Sequence, residues 1–347
     1  MSGKKKRVTI YDIAKASGTS ASTVSLVLNG SWEKYRINAD TADKVSQTAR
    51  SLGYRANLRA RGLRTNRTGL IGMVIPHHRN RFFAGLVEHY EAEAHKRGLC
   101  PIVVSTQRNR ETEESVVRTL LAQQVESLIL VGPENPDGID ALCEEAGTRH
   151  VNLDLPGRNA FSVVTDNRGG ARELGRHLLK LAPSGAEFHF IGGRQGEYAT
   201  DLRIAGFADA LNAAGIAVRD DMIDCCGYHP EHAQAVLSRL AARSGRLPAG
   251  LFINSITAME GFSSFLALNP EAAQDCVVAC FDWDPFAACL PLPVVMMRQN
   301  VAALTAACFD YLDAKTGQKG GEVMIAPELA VTPANRRMLA AGKEGSP

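Results

Sequence analysis

The stretch Val8–Asn29, VTIYDIAKASGTSASTVSLVLN, decides how the head of this chain folds. Thr9 is placed to accept a backbone hydrogen bond from the first turn of a helix, and Asp12, three residues on, is its reciprocal partner in a capping box. Ile10, Ile13 and Ala14 recur at helical spacing and give that helix an apolar side. Gly18 supplies a turn. Ser20 then caps a second helix whose apolar side is Val24, Val27 and Leu28, and Asn29-Gly30 closes it with residues that tolerate positive φ. A third helical pattern follows in NADTADKVSQTARSLGY, with Ala42, Val45, Ala49 and Leu52 on one side. Three short helices with a tight turn between the first two make a helix-turn-helix, a unit that sets its second helix into the major groove of DNA.

Charge points the same way. The whole chain carries +2, but residues 1–67 hold 14 Lys and Arg against four acids (Asp12, Glu33, Asp40 and Asp43), a net +10, and the remainder carries −8. A small basic head on an acidic body is the electrostatic footprint of a nucleic-acid module joined to a body that repels nucleic acid. On the second helix Ala21, Ser22, Ser25 and Leu26 are expected to face outward. Serine bonds bases or phosphates, and alanine or leucine touches a thymine methyl.

The length of 347 residues implies two or three domains, and the 45% hydrophobic and 22% charged fractions are those of a folded globular chain. No run approaches the roughly 20 apolar residues of a membrane span. No apolar segment follows the basic start, so a secretory leader is not expected, and the chain is placed in the cytoplasm with no membrane partner. The eight cysteines are scattered, and the vicinal pair Cys225-Cys226 is not a zinc spacing. Reduced thiols and no cofactor are expected.

From Gly69 onward short apolar runs (LIGMVIP, CPIVVS, SLILVG, HVNLDLP, EFHFIGG, AGLFIN, CVVACFD) alternate with helix-length segments. Near-continuous apolar strands separated by helices imply buried parallel sheets, and two such units in series make two α/β subdomains. Ligands of such sheets sit beyond the carboxyl ends of the strands.

VTIYDIAKASGTSASTVSLVLNG, followed by GYRANLRARGLR and IGMVIP, resembles the LacI/GalR family of bacterial transcription regulators, and the resemblance covers the whole chain. NGSWEKYRI lengthens the connection before the third helix. With LFINSITAMEG and ACFDWDPFAACLPLPVV, it is similar to the fructose and sucrose repressor (Cra-like) branch. The resemblance implies an α/β protein with an N-terminal helix-turn-helix headpiece (1–56), a hinge helix and linker (57–68) and a two-subdomain core of the type I periplasmic-binding-protein kind (69–340). The first subdomain is expected at about 69–165 and 297–325, and the second at about 166–296 and 326–340. The implied function is a homodimeric repressor of carbohydrate or central carbon metabolism genes. It would bind double-stranded, palindromic operator DNA and respond to a sugar or sugar phosphate in the core cleft.

The same resemblance assigns DNA contacts to Thr9, Tyr11, Ser20, Ala21, Ser22, Thr23, Ser25, Leu26 and Asn29, and to Tyr35 and Arg36 in the long connection. In the hinge it assigns Asn57, Arg59, Ala60, Leu63 and Arg64. The hinge would become helical on DNA, with Leu63 as a wedge between base pairs. Ala56 stands where many members carry proline, and Gly62 weakens a helix by about 1 kcal/mol relative to alanine.

Effector contacts are expected after the core strands. His77 and Phe82 follow IGMVIP, Phe82 either stacking on a sugar face or beginning the next helix core. Arg108 lies in STQRNRE, and Asp154 ends VNLD. Asp166 begins the crossing into the second subdomain. The resemblance carries Arg203, in DLRIAGF, into the cleft and makes Asp282 an acceptor for sugar hydroxyls. Asn254 and Ser255 follow LFI, Trp283 stands beside Asp282, and Gln299 lies on the return crossing. A planar arginine, acids and amides around aromatic faces suit a polyol or a sugar phosphate.

Two other readings fare worse. An enzyme would need a motif that is absent: GGRQGEY at 192–198 matches neither GxGxxG nor a phosphate-binding loop, and there is no GxSxG or HExxH. A solute-binding component of a transporter would have no use for the basic head.

Overall fold

The computed structural model describes residues 8–54, 67–314 and 320–331. The chain divides into two compact units, residues 1–68 and 69–347.

The head unit holds three helices, α1 (Ile10–Ser17), α2 (Ala21–Leu28) and α3 (Ala39–Ser51). Both sides of the capping box form: Asp12 N–H donates to Thr9 Oγ1 at 3.3 Å, and Thr9 N–H donates to the Asp12 carboxylate at 2.8 Å. Gly18 ends α1 at φ 69°, a left-handed conformation that glycine adopts without steric penalty. Ser20 Oγ caps α2 by accepting from Thr23 N–H at 3.0 Å. Ile13, Val24, Val27, Ala42, Val45 and Ala49 close the core. The long connection contributes Trp32 and Ile37 to it, so this segment packs on the domain. Two details differ from the sequence reading: Ala21 turns partly onto the core, and Leu52 is 39% exposed beyond the end of α3. Gly30 takes the positive φ at the end of α2. Tyr11 and Tyr35 stand out at 72% and 58% exposed, and Arg36 is held at φ 55°. The hinge residues Asn57, Arg59, Ala60, Leu63 and Arg64 lie outside the described residues.

The core unit contains two six-stranded sheets. The first has the order β11-β5-β4-β3-β1-β2. Its strands are β1 (Leu70–Ile75), β2 (Cys100–Ser105), β3 (Ser127–Val131), β4 (Arg149–Leu153), β5 (Ser162–Thr165) and β11 (Glu322–Ile325). The second has the order β12-β10-β9-β8-β6-β7. Its strands are β6 (Phe188–Ile191), β7 (Ile223–Asp224), β8 (Gly250–Ile253), β9 (Val277–Phe281), β10 (Val294–Arg298) and β12 (Glu328–Val331). All pairings are parallel except β10 with β12. The central strands are buried throughout, as parallel strands covered on both faces must be.

Helices α4 (Arg81–Lys96), α5 (Arg110–Ala122), α6 (Pro136–Glu145) and α11 (Val301–Asp313) belong with the first sheet, where α4 and α11 bury their apolar sides in one cluster. The second sheet is covered by α7 (Asn167–Leu181), α8 (Tyr198–Ala213), α9 (Pro230–Ser244) and α10 (Ile256–Leu268). The chain passes between sheets after Thr165, after Arg298 and after Ile325. Among the described residues no helix is long and apolar enough to cross a membrane.

Candidate functional site

The two sheets repeat one strand order, so β4 and β9 hold equivalent places. Each is followed by an aspartate in the left-handed region, Asp154 at φ 77° and Asp282 at φ 84°. Non-glycine residues are uncommon there, and aspartate is among the few that adopt it readily. Both carboxyls are buried, at 8% and 6% residue exposure. Backbone strain at matched strand ends holds two acids at the carboxyl edge of both sheets, where ligands of such folds bind.

Arg203 supplies a positive charge that acts on both. It sits on α8, buried, with its guanidinium 3.9 Å from the centre of the Phe281 ring. Its Nε donates to Asn167 Oδ1 at 2.8 Å and its Nη1 to the Asn254 carbonyl at 2.7 Å. Burial pushes the Asp154 carboxyl up from 3.8 to about 6, against the pull of Arg203 and Arg108. Burial also raises Asp282, opposed by Arg203 and by hydrogen bonds from Gln299 and the Ile256 amide. Gln299 Nε2 donates to Asp282 at 2.7 Å, and Gln299 Oε1 accepts from Thr165 Oγ1 at 2.5 Å. A polar chain therefore runs from the end of β5 through the second crossing to the end of β9. The side-chain amide of Asn254 is fully buried with no partner on either atom. An orphaned buried amide beside a fixed arginine marks a place prepared for something polar.

Arg108 lies on the loop after β2, itself held at φ 55°. It reaches Glu134, after β3, at 3.2 Å and Glu197, at the start of α8, at 3.5 Å. His77, after β1, shares a 3.0 Å hydrogen bond with Gln107, and burial lowers its pKa, which keeps the ring neutral. Tyr228 and Thr200 both meet Glu197.

His77, Arg108, Asp154, Arg203, Asn254, Asp282 and Gln299 thus belong to one polar system at the strand ends. Four expected residues have other duties. Asp166 caps α7, accepting from Gly169 N–H at 2.8 Å, because a helix that begins at a crossing needs its first amides satisfied. Ser255 caps α10 in the same manner, accepting from Ala258 N–H at 3.4 Å. Phe82 is buried in the first-subdomain core, and one edge of it lines a cavity of about 260 Å³ beside α4. Trp283 lines that same cavity, with Arg298 stacked 3.8 Å from its ring centre and Arg81 at 5.8 Å. Asp282 and Gln299 reach this cavity as well, so it adjoins the polar system.

Sequence reasoning missed Glu134, Arg194, Glu197, Thr200 and Tyr228. Glu134, Arg194 and Glu197 follow strands in the same way as the residues it found, in GPEN and GGRQGEY. Position after a strand was the signal available.

A model of the periplasmic binding protein domain matches residues 71–288, and one of bacterial regulatory proteins of the lacI family matches residues 9–57. The ribitol operon repressor of Klebsiella aerogenes is 41% identical over 248 residues, 69% of this chain and 88% of that protein. The sucrose operon repressor of Klebsiella pneumoniae is 32% identical over 313 residues, 89% of this chain and 92% of that protein. Among solved structures, the lac repressor dimer bound to operator and the anti-inducer ONPF superposes with a TM-score of 0.79 at 22% identity, over 94% of this chain and 98% of that one. The Cra regulator of Pseudomonas putida in complex with fructose 1-phosphate gives 0.69 at 22% identity, over 76% and 98%.

Proposed function

The chain belongs to the lacI family of bacterial regulatory proteins and is a DNA-binding transcription regulator, not an enzyme; from that premise we propose that it represses genes of sugar or sugar-alcohol use and is controlled by a polyhydroxyl effector in the core cleft. The observation that carries the effector class is the matched pair Asp154 and Asp282. Two buried carboxylates under the influence of one buried arginine are acceptors in search of hydroxyl donors, and each hydroxyl that donates relieves part of the desolvation that raises their pKa. Gln299 and the orphaned Asn254 amide add donors and acceptors for the same ligand. The resemblance to repressors named for ribitol and sucrose supports the same class.

The headpiece reads DNA through α2. Ser22 is exposed on it, and Thr23, Ser25, Leu26 and Asn29 are half-exposed. Thr9, Ser20, Tyr11, Tyr35 and Arg36 add flanking contacts, and Ala21 touches DNA with the edge that the core leaves free. Two copies bind a two-fold operator in the cytoplasm, since protein symmetry is mirrored in the half-sites. Effector and operator are linked reciprocally: whatever factor effector takes from operator affinity, operator takes from effector affinity.

The test uses the full chain and a duplex recovered from a randomised pool. Retardation of that duplex, altered by a sugar or polyol that also raises the melting temperature, is the expected result. Retardation with no thermal response to any sugar or polyol would overturn the effector assignment and leave the DNA reading intact.

The raised Asp154 pKa gives a pH prediction. A carboxyl whose folded pKa lies above its ordinary value binds its proton more tightly in the folded state, so its ionisation opposes folding as pH rises from 3.8 to about 6. Effector hydroxyls need the ionised form. Effector affinity should therefore fall as pH drops through about 6, by up to about tenfold per unit, and Asp154→Asn should flatten that dependence. Calorimetric titration between about pH 5 and pH 7 reads both.

A further inference from the structure

We propose that Glu134 and Glu197 make this cleft refuse phosphorylated effectors, by holding its two outer arginines in ion pairs that bridge the subdomains. This rests on the polyhydroxyl reading above and narrows it to neutral ligands.

Three arginines, Arg108, Arg194 and Arg203, gather around Asp154 and Glu197, and each already has oxygen partners; Arg298, at the end of β10, is stacked on Trp283 at the margin of the cleft. Glu134 Oε1 accepts from Arg108 Nη1 at 3.2 Å and from Arg194 Nη1 at 3.2 Å. Glu197 Oε1 lies 3.5 Å from Arg108 Nη1. The other Glu197 oxygen accepts from Thr200 at 3.1 Å and from the Tyr228 hydroxyl. Arg203 acts electrostatically on both Asp154 and Asp282 and is engaged by Asn167 and the Asn254 carbonyl. Four carboxylates thus face three guanidiniums. His77 adds no charge at neutral pH, because burial lowers its pKa and Arg108 and Arg79 lower it further.

A phosphate monoester brings about −1.5 to −2 charges and needs bare donors, most effectively the two parallel N–H groups of an uncommitted guanidinium. Here it would have to displace a carboxylate from Arg108 and Arg194 and then lie against it. The donors are also fixed. The Tyr228 ring lies 5.1 Å from the Arg108 guanidinium carbon and 5.9 Å from that of Arg194, which stacks both arginines on one aromatic side chain. Buried Glu113 accepts from the backbone amides of Glu134 and Asn135 at 3.2 and 3.3 Å, which holds the Glu134 loop in place. Arg108 is 11% exposed and the Glu197 side chain 12%, so water screens that pair little. A neutral polyol meets no such barrier, since its hydroxyls donate to carboxylates and accept from guanidiniums without breaking the pairs.

The test compares the full chain with Glu134→Gln, Glu197→Gln and the double variant. Each is titrated calorimetrically with ribitol, with ribitol 5-phosphate and with inorganic phosphate. Glutamine keeps the shape and removes the charge. The parent should bind ribitol at least about tenfold more tightly than its phosphate, and the double variant should gain at least about tenfold for ribitol 5-phosphate and for inorganic phosphate. A parent that binds the phosphate ester as tightly as ribitol overturns the proposal. A double variant that still melts cooperatively and gains nothing for either phosphate also overturns it, while ribitol binding by the parent would leave the polyhydroxyl reading standing. If ribitol fails with the parent, the polyhydroxyl reading loses its support, and inorganic phosphate alone decides whether the glutamates are the barrier. Should the double variant fail to fold, the two single variants carry the same comparison.

Discussion

Arg203→Ala is expected to abolish the effector response and to destabilise the core by about 3–5 kcal/mol, the range for removing one partner of a buried charge system. The arginine is 4% exposed, and its charge acts on two buried aspartates. Without it the Asn167 Oδ1 and the Asn254 carbonyl lose their donor, and Asp154 and Asp282 lose the cation that opposes their desolvation. Both carboxyls then shift further toward the protonated form, which is a poorer acceptor for effector hydroxyls. Arg203→Lys should rescue little, since one ammonium cannot reproduce the two directed bonds of a planar guanidinium. Denaturant unfolding of the core reads the stability change. Calorimetry with the best effector reads the binding loss, expected at about 100-fold or more. The headpiece is a separate compact unit with its own core, so a folded Arg203→Ala protein should still retard operator DNA, now unresponsive to effector. Wild-type effector affinity in this variant would remove Arg203 from the site.

The parts of this architecture that sequence made legible are those written in local pattern. Thr9, Asp12 and Gly18 announce a helix and its ends within ten residues, and the structure forms all three devices. The seven longer apolar runs each became a strand. The strands not read from pattern lie at crossings or at a sheet edge: β5 comes just before the first crossing, β7 is two residues at the edge of the second sheet, and β10 to β12 lie where the chain returns between sheets. No period is measurable over two residues. The site divides along the same line. Asp154, Asn254 and Asp282 were visible because each follows a strand, and Arg203 because a family motif carries it. The pairing of Arg108 with Glu197 spans 89 residues, and that of Arg194 with Glu134 spans 60. Charge neutralisation between separate loops leaves no trace in a sequence window. Asp166 shows the ambiguity of the strand-end signal: a strand end followed at once by a helix makes an N-cap as readily as a ligand contact.

Gly206→Ala should destabilise the core by about 1–3 kcal/mol or more, although glycine to alanine in a helix ordinarily stabilises by about 1 kcal/mol. The sign is decided by packing. Gly206 lies on α8 where it crosses α7, and a Cβ there would sit 2.3 Å from the Arg168 carbonyl oxygen and 2.8 Å from both the Arg172 nitrogen and Ala171 Cβ. Two of those atoms are backbone and cannot rotate away. Gly175 makes the reverse approach from α7, its Cβ position 2.7 Å from Ala210 Cβ, so the helices meet through small residues on both sides. This close crossing serves the site. Arg203 precedes Gly206 by about one turn on α8, and its partner Asn167 opens α7, so the 2.8 Å bond between them exists only at this helix separation. Pushing the helices apart by about 1 Å would break that bond and tilt the guanidinium away from Asp282, with a loss of about tenfold or more in effector affinity. Thermal unfolding and effector titration of the same variant should therefore fail together, whereas an exposed glycine such as Gly215, whose Cβ would meet nothing, should affect neither effector binding nor packing when replaced, beyond the strain of its φ of 79°. A Gly206→Ala protein as stable as the parent would mean that the helices can separate without penalty, and that Arg203 is held by something other than Asn167.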